Sequence, residues 1–313
     1  MKYVNPGRII FRLAIAVICL FSTVAFGQDG SGKFAITHSF FVAGPDFTGI
    51  IGEQGQEIWN SGKPGARDGY VLPNGNLLIC WSDEVKEFDK DKQVIFTFKR
   101  SAEENELGTV VRLPNGNTMI TESGKAPKLL EVDRQGKIRV SVPLQPESDN
   151  IHMQTRMARK LANGNYLVPH LLAFKVKEYT PAGKVVKVFA TDLPELGGRE
   201  TEAWPFTAIR LANGNTLVTL THSNQVVEFN AAGKVVWKVS NEDFPEKPFA
   251  DPCGAQRLAN GNTVFASYGA SEGIKLFEIT RDKKIRWTYT GHRVHHFQIL
   301  TTNGIPLSGT PLK

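Results

Sequence analysis

Residues 211–239 read LANGNTLVTLTHSNQVVEFNAAGKVVWKV, and this stretch decides the fold. From Thr216 to Leu220, Val226 to Asn230 and Lys234 to Val239, apolar and polar residues alternate with a period of two, the pattern of half-buried strands. Asn213-Gly214 supplies the positive backbone angles of a tight turn, and Ala231-Ala232-Gly233 marks a second hairpin. The pentapeptide Leu-Pro/Ala-Asn-Gly-Asn recurs with its first asparagine at Asn74, Asn115, Asn163, Asn213 and Asn260, and a degraded copy stands at Thr302-Asn303-Gly304. Its glycines are 41, 48, 50, 47 and 43 residues apart, a period that marks stacked supersecondary units. Gly55, Gly136, Gly183 and Gly233 repeat the second hairpin. Four short strands per unit, with no helical pattern between them, describe the blade of an all-β propeller.

The ends of the repeat set the blade count. The segment from Phe34 to Trp59 matches the second, third and fourth strands of a unit, whereas His295 to Gly304 matches a first strand and its turn. Together they make one composite blade, so five internal blades become six and the ring closes without exposed sheet edges. Residues 28–313 are read as this single domain. Residues 1–27 have the form of a secretory signal: Lys2, Arg8 and Arg12 precede an apolar run from Leu13 to Phe26, and Ala25-Phe26-Gly27 suits cleavage before Gln28. A retained anchor is the alternative. The expected location is periplasmic or extracellular, with no membrane attachment after cleavage.

Loss of that segment takes the net charge from +6 to +3, because it carries three positive charges and no acidic residue. No dense Lys/Arg run remains, which excludes a nucleic-acid footprint. Cys80 and Cys253 fall in non-neighbouring units, too far apart for a disulfide, and are expected as free thiols.

The tight turns lie on one face of the disc, and the longer connections (Leu144 to His152, Ala190 to Trp204, Ser240 to Cys253 and Thr288 to His296) lie on the other, where binding residues collect. Counting seven residues back from each turn asparagine finds Arg67, Gly108, Arg156, Phe206, Cys253 and His296, predicted to ring the mouth of the central channel. Asp68, His152, Gln154, Glu202, Trp204, Asp251, Gln256 and His295 flank them, and His170 and His222 end second strands on the same rim. Convergent polar groups beside aromatic walls suit a small ligand. Arg112, Lys160, Arg210 and Arg257, three residues before their turns, read as a solvated or salt-bridged rim on the opposite face.

Three chemistries are open to this constellation. A divalent metal could draw on His152, His170, His222, His295 and His296 with Glu122 or Gln154, although no spacing among them is a metal motif. His295 and His296 are adjacent on a strand, so at most one faces the channel. Acid–base or nucleophilic work by a histidine, with Arg67 and Arg156 forking onto a sulfate, phosphate or uronate, is the second; Asp68 is the competing structural partner for Arg67. A non-catalytic platform for a protein partner is the third. No glycine-rich phosphate cradle, nucleophile elbow or cysteine zinc spacing occurs.

The pattern LANGNTLV followed by VVEFNAAGKVVW resembles two groups of exported bacterial propellers. One is the pyrroloquinoline-quinone repeat, or quinoprotein-like, group, whose blade-ending tryptophan is matched by Trp59, Trp237 and Trp287. Its quinone enzymes have eight blades, so six blades and three tryptophans argue against that cofactor. The other is the arylsulfotransferase-like group, which shares the Asn-Gly-Asn-Thr-Leu hairpin. That resemblance implies a channel histidine in catalysis, which the ring positions assign to His296, with Arg156 and His152 as its partners. The expected function is binding or conversion of a small anionic or carbohydrate-like ligand on the long-loop face, with an interaction scaffold and a metal-dependent lyase or sulfotransferase-like enzyme as alternatives.

Overall fold

The computed structural model describes residue 1 and residues 35–313. The segment read as an export signal lies outside the described residues apart from Met1. The first strands are β1 (His38–Ala43), β2 (Thr48–Ile51) and β3 (Glu57–Asn60). Blade 1 follows as β4 (Asp68–Val71), β5 (Leu77–Cys80), β6 (Glu84–Phe88) and β7 (Val94–Lys99), and blade 2 as β8 (Glu106–Arg112), β9 (Thr118–Ser123), β10 (Lys128–Val132) and β11 (Ile138–Pro143). Blade 3 is β12 (Arg159–Lys160), β13 (Tyr166–His170), β14 (Lys175–Tyr179) and β15 (Val185–Ala190). Blade 4 is β16 (Ala203–Arg210), β17 (Thr216–His222), β18 (Gln225–Phe229) and β19 (Val235–Ser240), and blade 5 is β20 (Pro252–Arg257), β21 (Thr263–Ser267), β22 (Leu276–Ile279) and β23 (Ile285–Tyr289). The chain returns through β24 (His296–Thr302) and β25 (Ile305–Pro306), and the sixth sheet has the order β25-β24-β1-β2-β3. The fold is the six-bladed all-β propeller, closed as expected by one late strand on three early ones.

Each blade interface buries an apolar cluster of its own. Between blades 3 and 4, for example, Val176 and Phe189 pack on Val218, Leu220 and Phe229. Blades 5 and 6 meet through Val264, Leu276, Phe40 and Phe297. The alternation that announced the strands is what delivers these side chains: every second residue enters an interface.

A second device joins the blades. The third strands of blades 1 to 5 carry Glu87, Glu131, Glu178, Glu228 and Glu278, all buried. In blades 1, 3, 4 and 5 the carboxylate accepts from the last asparagine of its own Asn-Gly-Asn turn, as from Asn165 at 2.8 Å onto Glu178 and from Asn215 at 2.7 Å onto Glu228. All five also meet a side chain of the following blade: the cations Arg112 on Glu87, Lys160 on Glu131, Arg210 on Glu178 and Arg257 on Glu228, and the His38 ring on Glu278. The cationic rim of the sequence is therefore salt-bridged, blade to blade. The register between third and fourth strands shifts immediately after each of these glutamates.

The sixth turn departs from the pattern read for it. In the five complete copies only glycine takes a positive φ, as at Gly214 (+83°), and the leucine N–H bonds across to the last asparagine. At Asn303 (+49°) and Gly304 (+77°) both residues are left-handed, the geometry of a two-residue hairpin. This hairpin turns the chain inward, so β25 lies on the channel side of β24. The chain then runs up the channel, where the Arg257 N–H donates to the Leu312 carbonyl at 2.9 Å. Lys313 is buried on the axis, its Nζ donating to the Gly69 carbonyl at 2.7 Å and standing 3.4 Å from Asp68 Oδ1.

Replacing Glu178 with Ala strands Arg210, Asn163 and Asn165 and is expected to cost about 3 kcal/mol, roughly 6–12 °C in Tm. Asp192→Ala removes a single ion pair with the exposed Arg199 and should cost about 1 kcal/mol or less. Equal losses in thermal melts of the two variants would remove the inter-blade role.

Candidate functional site

On the long-loop face the channel opens into a cavity of about 330 Å³. The strand register explains its lining. Arg67, Arg156, Phe206 and Cys253, the positions seven before the turn, face it, and Gly65, Trp204 and Asp251, two residues earlier, form the layer above. His152 reaches in from the connection leading into blade 3, and His222 from the end of β17. In the sixth blade the lining residue is His295, not His296. The two-residue hairpin at Asn303-Gly304 offsets the count there by one, and alternation sends the neighbouring side chain to the other side. Gly254 permits this seating: a Cβ there would come within 3.1–3.2 Å of the His296 Cα and the His295 carbonyl.

Nine of the residues proposed from sequence thus meet in one cavity: Arg67, His152, Arg156, Trp204, Phe206, His222, Asp251, Cys253 and His295. Six polar candidates do not line it. His296 lies deeper, fully buried, with Nδ1 3.2 Å from Lys313 Nζ and Nε2 3.3 Å from Arg159 Nη2. Asp68 anchors that deep cluster, 3.2 Å from Arg159 Nη1, and so is not the partner of Arg67. Gln154 exchanges hydrogen bonds with the Gly124 backbone, and Gln256 accepts from the Ile299 N–H. His170 is sealed against Tyr179, its Nε2 2.8 Å from the phenol oxygen. Glu202 stands behind His222, 2.9 Å from its Nδ1.

The cavity is asymmetric in charge. Arg67 is neutralised by Glu106 at 2.9 Å, and the same carboxylate lies 3.1 Å from His152 Nδ1; the His152 hydrogen bond, with Arg67, holds the Glu106 carboxyl down at about 2. Arg156 is different. It is 3 % exposed, its Nη1 donates to the Thr155 carbonyl at 2.8 Å, and it has no carboxylate partner among the described residues. Burial, then the neighbouring Arg67, lowers its guanidinium to about 10, so it stays charged at neutral pH. His295 shares this floor. Its Nδ1 is 2.9 Å from the Arg67 carbonyl, which makes that nitrogen the donor and leaves Nε2 as an acceptor. Burial and the Arg156 and Arg67 charges push the ring down to about 3, so it is neutral.

Cys253 is inert: burial, and Asp251 close by, raise its thiol far above the neutral range, and both described cysteines are free and buried. Among the described residues, no three or more His, Cys, Asp and Glu side chains are grouped to hold a metal ion. Of the oxygen ligands considered, Gln154 is engaged as above, and Glu122 accepts from Ser101 and Asn105.

Sequence reasoning missed Tyr268, Leu171 and Thr221, which complete the wall. A signal existed: each stands eight residues after its turn asparagine, as the second strand leaves for the long-loop face. Arg159 and Lys313 were missed because the first is one residue off the counted cationic position and the second enters the channel only through the inward hairpin.

The buried histidines give the site a pH signature. His170 and His295 stay neutral in the fold down to about pH 3, and burial with Lys313 and Arg159 holds His296 well below its ordinary value. The unfolded chain takes up these protons below about pH 6.5 and the fold does not, so stability is lost as pH falls. The slope approaches about 1.4 kcal/mol per pH unit for each such histidine. Denaturant unfolding between pH 6.5 and 5 should show this loss, reduced by one proton in His170→Gln; an unchanged slope in the variant contradicts the assignment.

Comparison with known proteins comes down to the fold and one family. A protein of unknown function from Bacteroides caccae has a similar structure, with TM-score 0.73 and 20 % identity over 87 % of this chain and 100 % of that one. Virginiamycin B lyase from Staphylococcus aureus, as a catalytically inactive histidine-to-alanine variant with quinupristin, gives TM-score 0.57 and 13 % identity over 81 % of this chain and 84 % of that one. No curated protein matches the chain in sequence. A family model matches residues 36–266 and does not confirm the quinoprotein-like or arylsulfotransferase-like resemblance; by this match over well more than half its length, the chain belongs to the Mal s 1 allergenic protein-like family.

Proposed function

We propose that this protein binds a small anionic molecule in the cavity on the long-loop face. The observation that carries this reading is Arg156, a buried guanidinium open to the cavity with no carboxylate within ion-pair distance among the described residues. A buried charge without a counterion is costly, and an anionic ligand supplies the missing partner. Arg67, although paired with Glu106, presents further N–H donors across the floor, and His295 Nε2 accepts from any hydroxyl on the ligand.

Conversion of the ligand has one observation in its favour. The contact between His222 Nδ1 and Glu202 fixes the tautomer and leaves Nε2 without a partner among the described residues, the arrangement of an oriented base. The lyase name of the S. aureus propeller keeps such chemistry in view. The exposed valines of the outer strands, Val186, Val188 and Val236, are what a scaffold reading would draw on, but nothing there selects a partner. We also read the protein as exported. No described helix is long and apolar enough to cross a membrane, and the mature chain is expected to begin at Gln28.

Thermal melts with sulfate, phosphate, sulfate esters and acidic sugars, at constant ionic strength against chloride, test the binding reading. A ligand at 100 times its Kd stabilises by about 2.7 kcal/mol, a shift of several degrees. Arg156→Gln is expected to abolish that shift. An absence of any shift, or an equal one in Arg156→Gln, would overturn the reading.

A further inference from the structure

Beyond the anion site, the cavity has an opposite end. Asp251 lines the rim and has no Lys or Arg ion-pair partner among the described residues; its Oδ1 accepts from the His222 N–H at 3.1 Å. Behind it stands Glu202, whose one ion-pair partner among the described residues is His222. Glu202, His222 and Asp251 all hold left-handed backbone, with φ of +49°, +59° and +47°. Three non-glycine residues in this region on facing segments of blades 4 and 5 carry strain, which folds retain where a site needs it. The acceptors are not redundant with the buried cluster below, because Asp68 there is already matched by Arg159 and Lys313.

The repeat register sets the separation of the two ends. Arg67 and Arg156 occupy the layer seven before the turn, and Asp251 the layer nine before it. Two residues of extended chain advance about 7 Å along the axis, close to the span of one sugar ring. Trp204 lines the upper layer, Phe206 the lower one, and Tyr268 the wall beside them. Tyr268 packs edge-on to His295 at 5.2 Å, and Trp204 is held by His222 at 4.2 Å, so both rings are fixed before a ligand arrives.

Resting on the anion reading, we infer that the ligand is an acidic sugar, with its carboxylate on Arg156 at the floor and its hydroxyls donating to Asp251 and to His222 Nε2 at the rim. The aromatic side chains take the apolar C–H face of the ring, which neither a simple anion nor a compact zwitterion would fill.

Calorimetric titration of the full chain with galacturonate, glucuronate and mannuronate, beside galactose, acetate, sulfate and glycine betaine, tests this. At least one hexuronate should bind tenfold or more tighter than both galactose and acetate, a comparison that needs no variant. Asp251→Asn should weaken that hexuronate about tenfold and leave sulfate unchanged, whereas Arg156→Gln should weaken both. If no hexuronate exceeds acetate, or Asp251→Asn changes nothing while sulfate still depends on Arg156, the sugar inference falls and the anion reading stands. If neither sulfate, acetate nor any hexuronate binds, both fall. Tighter binding of glycine betaine than of every hexuronate, through Asp251, overturns the sugar assignment.

Discussion

Five buried carboxylates hold this ring together in a way that apolar packing alone cannot. Hydrophobic contact between blades is strong but undirected. Glu87, Glu131, Glu178, Glu228 and Glu278 add direction, four meeting a cation of the next blade and Glu278 meeting His38, and four of them also gripping their own turn. Because these groups are desolvated, losing either partner leaves an unpaired charge, so neighbouring blades are pinned at a set angle. At Glu228, burial alone would raise the carboxyl, but hydrogen bonds from Asn215 and Arg281 bring it below its ordinary value. A ring fixed in this way can hold a cavity whose own groups are unfavourable.

The channel divides into two compartments with different electrostatic logic. Below, Asp68 faces Arg159 and Lys313, and the returning chain fills the axis. Burial draws the Lys313 ammonium down to about 7 even with Asp68 beside it. Above, Arg156 is charged and unmatched, and His295 is kept neutral. The lower cluster closes the channel and satisfies itself; the upper one is completed only from outside. This division leaves His296, the leading catalytic choice from ring position, in the structural half.

Much of this was legible because strands within a blade have little freedom in length. A fixed count from the turn asparagine reached Arg67, Arg156, Phe206 and Cys253. The number of residues from channel mouth to turn is the same in these blades even where the pairing of the first strand shifts register, as at Pro205/Ala208 and Pro252/Ala255. The same count failed by one at His295 and His296, where a two-residue hairpin replaces the longer turn. The carboxylate ring was invisible to it for a related reason. Its members stand 13, 16, 15, 15 and 18 residues after their asparagines, because the connections between second and third strands vary. Glu106 as partner of Arg67 could not be read at all, for blade 2 brings it across from its own first strand. Local spacing reports what one blade does, and pairing between blades depends on angles that only packing sets.

The central claim is that Arg156 is held uncompensated for the sake of a ligand. A residue kept for binding against the interests of the fold makes its removal harmless or favourable to stability. The direct measurement is the melting temperature of ligand-free Arg156→Met against the parent chain. The account predicts an equal or higher value, because an isolated buried charge gives way to an apolar side chain of similar length. A fall of several degrees would contradict it, assigning Arg156 to the structure of the ring instead of to a ligand.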